Sequence, residues 1–485
     1  MLRGNEQMRL SLSPYRGIYD LVVPKDHLLR KIKGNIDFSF VNPMLKKQYC
    51  EKFGRPAKEP EMMFKLMFLK KLYDLSDERL ISQAQTDMAC KYFLDLDPED
   101  EMIAPSLMTK FRKTRISEDI LEEMLKETIR QACDKGIIKS NTIIVDSTHT
   151  IANVRIKTAT QVLRDLSKQL RKEIYINMYD ISAKLPEKPS LESGLEDEIA
   201  YTRQLLENTK EEIETCGIQK LKELYERIRE LLDSDRIREI RSKDDEDARI
   251  GHKASTKRFF GYKNHIAITE ERIITGIEVT GGNADDGKQL QALVKKSQSN
   301  GICVKEVIGD TAFSSVKNID FCKENDISLI ALSNPRVSNL AEPKKDGFDY
   351  NKDAKTMQCP AGELAISCRK KPSEIDNAMY YYRFSHRTCN ACSLKGNCVA
   401  YNKKYTLYHI TILNAKNKAR IDFEKMEDFQ KRLQVRYRIE GKNGELKQSH
   451  GLRRADSTGL KAMRLQMFFT AFTANLKRIV KIIEM

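Results

Sequence analysis

Apolar residues recur at three- and four-residue spacings through much of the first 138 positions, a pattern that predicts helices. Between Pro60 and Tyr73, the residues Met62, Met63, Leu66, Leu69 and Leu72 fall on one face. Asp74, Leu75 and Ser76 interrupt that run, and Ser76 is placed to cap a second helix. A third helix is expected from Ser117 to a stop at Gly136. The period then changes. Within 139–150, Ile143, Ile144 and Val145 predict a buried strand that Asp146 ends. From 151 to about 250 the chain is strongly charged but helically spaced. It reads as a helical hairpin or short coiled coil inserted between strands, a solvated helix pair with no chemistry of its own.

Strand signals resume at Phe259. FFGYKNHIAITEE and RIITGIEVTGGN are two apolar runs split by a polar turn, which predicts a hairpin. An amphipathic helix follows, opened by Asp285 and Asp286 and closed by Gly301. VKEVIGDTAF predicts a strand ending at Asp310, SSVKNIDFCKEN a helix, and ISLIALSN another strand. That order predicts a mixed α/β layer. The expected division is a helical domain at 1–138 and a core at 139–335 interrupted by the 151–250 insertion. An irregular, cysteine-containing segment follows at 336–414, then helices at 415–485.

Charge narrows the class of partner. The chain has 485 residues and a net charge of +15. From Lys416 to Met485 there are 17 Lys and Arg against 8 Asp and Glu, so +9 of that excess sits at the C-terminal end. Such a balance favours a polyanionic partner, and it places the contact in the C-terminal part. Beside it, the N-terminal helices read either as a helix-turn-helix DNA reader or as a plain packing bundle. No apolar run is long enough to span a bilayer, and no secretory signal is evident, so a cytoplasmic location is expected.

Asp146 and Asp310 each stand at a predicted strand end, where ligand sites form in open α/β sheets. A third carboxylate, Glu440, lies in RYRIEGKNGELK. On an ideal helix, Glu440 and Lys447 fall roughly 40° and 20° from Arg436, so one acidic side chain would stand between two cations suited to phosphate. An ordinary ion pair between Arg436 and Glu440 fits the same spacing. Gly441 and Gly444 weaken the helix, which would leave Lys447 past its end. Lys263, in the strand after the insertion, could touch a DNA backbone or be simply solvated. Asp286 reads as a helix cap and His149 as a polar turn residue.

IIVDST, FFGYKNHIAI, VIGDTAF and R-x-x-x-E-x-x-x-x-x-x-K occur in an order that resembles the insertion-sequence transposases of bacteria, of the DDE type. DDEDARIGHK, CPAG and the N-terminal GRPAKEPEMMFKLMFLKKLYDLSDERLI are similar to segments of that family. The resemblance implies a ribonuclease-H-like core, a helical DNA-binding N-terminal domain, and a homodimer or larger assembly on DNA. It implies that Asp146, Asp310 and Glu440 bind two Mg²⁺ or Mn²⁺ ions, with Arg436 and Lys447 contacting phosphate. Leu433 stands where many relatives carry Tyr. The implied reaction is hydrolysis at the inverted repeats ending the element, then attack of the freed 3′-OH on target DNA, close to the bacterial nucleoid. A standalone nuclease with the same core, and a non-catalytic DNA-binding derivative, are the competing readings.

Eleven cysteines occur without an export signal, so free thiols or metal ligands are expected rather than disulfides. Cys389-x-x-Cys392 has structural-zinc spacing, and Cys359 and Cys398 could complete a zinc site; free thiols in an irregular loop fit as well.

Overall fold

The computed structural model describes residues 13–50, 57–254, 256–334, 346–351, 353–372, 377–402 and 404–485. Most of the N-terminal stretch read for an export signal, and part of the 336–414 segment, lie outside them. Among the described residues no helix is long and apolar enough to cross a membrane. The protein divides into two compact units, Met1–Lys305 with Tyr437–Met485, and Glu306–Arg436. The fold class is mixed α/β, compatible with a ribonuclease-H-like core accompanied by helical domains.

In the first unit, short helices precede the first strand. Pro60–Tyr73 forms as expected, but it is not one-faced: Phe64, Lys65, Met67, Phe68 and Lys71 are buried along with the predicted stripe. Apolar residues lie all round this helix, so it needs neighbours on every side. The C-terminal helix Leu460–Ile483 is one of them, with Phe64 packed at 5.3 Å from Phe469 and 4.8 Å from Phe472. Ser76 caps Asp77–Thr86 through the Arg79 N–H, and Ser117 caps Glu118–Asp134. Gly136 follows at φ +64.

The strands β1 (Thr142–Ile151), β2 (Arg249–Ala254), β3 (Lys257–Thr269) and β4 (Ile274–Gly281) form the sheet of this unit. β3 pairs antiparallel with β1, β2 and β4. The predicted hairpin is β3–β4, and its turn places Arg272 at φ +69. One expectation is corrected here. Asp146 does not end β1; the strand runs five residues beyond it, to Ile151. Ser147, Thr148, His149 and Thr150 are polar, but β3 supplies backbone partners as far as Gly261. Gly261 makes that pairing possible, since a Cβ there would stand 2.0 Å from the Thr150 carbonyl oxygen. Backbone hydrogen bonding thus overrides a polarity signal that reads as a strand end.

The insertion folds as three helices, Ala159–Asn177, Leu195–Thr215 and Gln219–Asp233, around a core that includes Leu163, Leu166, Leu205, Leu221 and Ile228. The acidic segment after it has a structural task. Buried Asp245 accepts the Tyr262 hydroxyl at 2.5 Å, and Asp247 accepts the Leu460 N–H at 2.9 Å, which caps the C-terminal helix.

In the second unit, β5 (Glu306–Ile308) and β6 (Ser328–Ile330) are parallel, joined through the helix Val316–Glu324. The cysteine-containing segment, expected to be irregular, carries two small sheets. β7 (Asp349–Asn351) pairs with β8 (Thr356–Gln358), and β10 (Ala378–Arg383) lies between β9 (Ser367–Pro372) and β11 (Leu407–Ile412). Tyr382 and Tyr408 hold a small core with Phe384 and Met357, and these scattered aromatics leave no alternation to read. The helices expected from 415 onward begin with Ala415–Glu424 and Glu427–Gln434, which carries Leu433.

Candidate active site

Asp146 is half-buried on β1, and the helix Tyr437–Ser449 packs beside that strand within the same unit. This helix runs unbroken through both glycines, so Lys447 lies in its last turn and not past its end. Gly441 has a local reason: a Cβ there would stand 2.7 Å from the Arg272 guanidinium. Ile439, Lys442 and Leu446 are buried. Arg438 donates to the Glu270 carbonyl at 3.0 Å, tying the helix to the β3–β4 turn.

Asn443 Nδ2 donates to Asp146 Oδ2 at 3.0 Å, and Lys447 Nζ lies 3.3 Å from His149 Nδ1. Glu440 is exposed and shares this face, about 60° from Asn443 and about 20° from Lys447 at 100° per residue. Strand and helix therefore bring Asp146 and the Glu440 face together. The Asn443 Oδ1 atom is buried and has no hydrogen-bond partner.

Cations crowd this place. Burial pushes the Lys447 ammonium down to about 8, Lys253 and Arg453 push the same way, and Asp146 opposes them. Burial, then Lys447 and Lys253, lowers His149 to about 4, so its ring is neutral at pH 7 and Nδ1 can accept from the ammonium. His149 also packs against Phe259, with ring centroids 4.8 Å apart. Arg453 is carried by a segment that runs along the end of β1, where its carbonyl accepts the Ile151 N–H at 3.0 Å. Lys253 and Arg453 are exposed. Neither they nor Asn443 stood out in the sequence, although Asn443 follows Glu440 by three residues, a spacing that puts both on one helical face.

The remaining candidates fall elsewhere. Asp310 is half-buried in the second unit, two residues beyond β5, where its side chain accepts the Ala312 N–H at 2.9 Å and caps a short turn. Its strand-end position is as expected. Arg436 ends that unit, half-buried, one residue before the site helix begins. Lys263 is not solvated: its ammonium contacts Asp286 at 2.9 Å and the Ala284 carbonyl at 2.8 Å. An ammonium held by both is a poor free contact for phosphate. Asp286 stands at the N-cap position as expected, but its side chain makes no capping bond; the Gly287 N–H is taken by Asp285 at 2.9 Å.

Cys359, Cys389, Cys392 and Cys398 line one cavity of about 400 Å³ in the second unit, and all four are free thiols. The Leu394 N–H donates to Cys392 Sγ at 3.4 Å. Burial, followed by the three neighbouring cysteines, raises the Cys389 thiol. Among the described residues, no group of three or more His, Cys, Asp or Glu side chains is arranged to hold a metal ion.

Residues 18–114 match the family described as Transposase domain (DUF772), and residues 358–480 match Transposase DDE domain. Both matched families are transposase domains. The second match contains Glu440, Asn443 and Lys447 together with all four cavity cysteines. The two matches identify the chain as a member of the insertion-sequence transposases of the DDE type. It is also 32% identical over 92 residues to a Rhizobium meliloti protein described as "Uncharacterized protein ORF8 in nfe locus". That likeness covers 19% of this chain and 44% of the relative, so the chain spans less than half the length of the curated protein it matches.

Proposed function

We propose that this transposase cuts DNA at the ends of its element and joins the freed 3′-OH to target DNA, with Asp146, Asp310 and Glu440 as metal-binding carboxylates. The observation that carries the reading is the contact of Asn443 with Asp146. It brings the face bearing Glu440 and Lys447 onto the strand bearing Asp146. Asp310 joins the set from its strand-end position and from the family pattern.

In kind, the donors suit a hard divalent cation: they are carboxylate oxygens, and the buried Asn443 Oδ1 next to Asp146 lacks a partner. Divalent ions held by these carboxylates would activate the attacking oxygen and stabilise the leaving one. The protein's own groups do the rest. Lys447, Lys253 and Arg453 supply positive charge for the DNA phosphates. His149, neutral at pH 7, accepts from the Lys447 ammonium and holds it in place. Asn443 fixes the Asp146 carboxylate through its N–H. A homodimer or larger assembly on DNA would bring two ends together.

The test is cleavage and strand transfer on DNA carrying the element's terminal repeats, with Mg²⁺ or Mn²⁺. Asp146→Ala is expected to lower both by roughly 10⁴-fold or more. Undiminished activity would sink the mechanism. Cutting without joining would identify a nuclease, and specific binding without cutting in either metal a non-catalytic derivative.

We also propose that Cys359, Cys389, Cys392 and Cys398 take up a structural zinc, which would draw the thiols together and displace their protons. Their common cavity and the N–H···S bond at Cys392 support this. Metal analysis of the purified protein should find about one zinc per chain, lost on Cys389→Ser. Zinc at background level in the wild type would leave four free thiols.

A further inference from the structure

The Asn443 side chain is placed in a way that its hydrogen bond does not explain. Its Nδ2 has a partner in Asp146 Oδ2, yet its Oδ1 is enclosed and accepts nothing. A buried carbonyl oxygen without a donor is costly, and such atoms are uncommon in folded proteins. This one stands beside a half-buried carboxylate and one turn from Glu440, on the face that meets β1. Oxygen is the ligand that Mg²⁺ and Mn²⁺ prefer, and a neutral carboxamide adds an oxygen without adding charge.

We propose that Asn443 is a direct metal ligand through Oδ1, a protein oxygen additional to the carboxylates and next to Asp146. This rests on the reading of Asp146 as a metal ligand. The N–H bond to Asp146 and the Oδ1–metal contact act together: one end of the amide orients the carboxylate while the other faces the ion. The arrangement gives the helix two ligands from one face, Glu440 and Asn443, three residues apart.

The test is Mn²⁺ binding to the full chain, followed by electron paramagnetic resonance titration, so that the readout is occupancy and not turnover. Asn443→Ala, Asn443→Asp and Asp146→Ala are compared with wild type, with thermal melting as the folding control. Alanine is a good helix former, so the helix should persist. Asn443→Ala is expected to weaken the site about 10-fold, in the range for lost metal-site groups. Asn443→Asp, which keeps an oxygen at that position, is expected to bind at least as tightly as wild type. Equal weakening in both Asn443 variants would overturn direct ligation, because a residue that only donates N–H to Asp146 is lost in both. Undiminished binding in Asn443→Ala would overturn it too. Undiminished binding in Asp146→Ala would overturn the functional reading itself, a distinguishable result.

Discussion

At the scale of single residues, the site is set by who touches whom across great distances in the chain. Asp146 and Asn443 stand 297 positions apart and share a hydrogen bond. No spacing rule connects them. Lys447 is the opposite case: its place after Glu440 was readable from the sequence, but its state was not. Burial and neighbouring cations hold its ammonium at about 8, so it is mostly charged at pH 7 and ready for an anion that would relieve the crowding. If Lys447 contacts a phosphate, Lys447→Gln should weaken DNA binding across all sequences. The slope of log affinity against log salt should also become shallower by about 1. A filter-binding salt series in which variant and wild type run parallel would remove Lys447 from the interface. Lys263 shows the reverse lesson. It looked available in the sequence, and Asp286 and a backbone carbonyl occupy it.

At the scale of elements, pattern and structure agree where a segment has one dry face and differ where it has none or two. The cap at Ser76 was legible because capping depends on neighbours two or three residues away, and the helix start at Ser117 likewise. The length of β1 was not, because its polar second half is held by β3. The site helix persists through Gly441 and Gly444 because its inward residues anchor it. Lys442 and Glu445 are 2.8 Å apart, and Glu445 also faces His450 and Lys477. Burial alone would raise the Glu445 carboxyl, but His450 and Lys442 outweigh it and hold it at about 2, against an ordinary 4.5. A depressed carboxyl contributes stability that is full above about 4.5 and is lost as pH falls toward 2. Acid denaturation should therefore be steeper through that window in wild type than in Glu445→Gln. Superimposable acid limbs would argue against the cluster as an anchor of the helix.

At the scale of the whole molecule, the first unit joins segments early and late in the chain. Helices before β1 and the helix Leu460–Ile483 share one aromatic core, with Phe38, Phe64 and Phe472 in mutual contact. Phe64→Ala should cost about 3–5 kcal/mol, because a buried ring is removed where rigid neighbours on two elements cannot close the gap. Chemical denaturation measures this, and a loss under about 1 kcal/mol would mean that the core relaxes freely.

The sequence by itself determined the cap at Ser76, the β3–β4 hairpin, the helical character of 151–250 (though as three helices and not a pair) and the family, each read from short spacings or from blocks in order. It also marked Asp146, Asp310 and Glu440 as the carboxylates to weigh. Tertiary structure alone decided that Asp146 sits within a strand, that Lys263 is engaged, and that Asn443 meets Asp146. The reason is physical. Local pattern encodes what a residue's near neighbours can satisfy, whereas a buried charge, a polar strand half or an orphaned amide oxygen is settled by groups the fold brings from elsewhere in the chain.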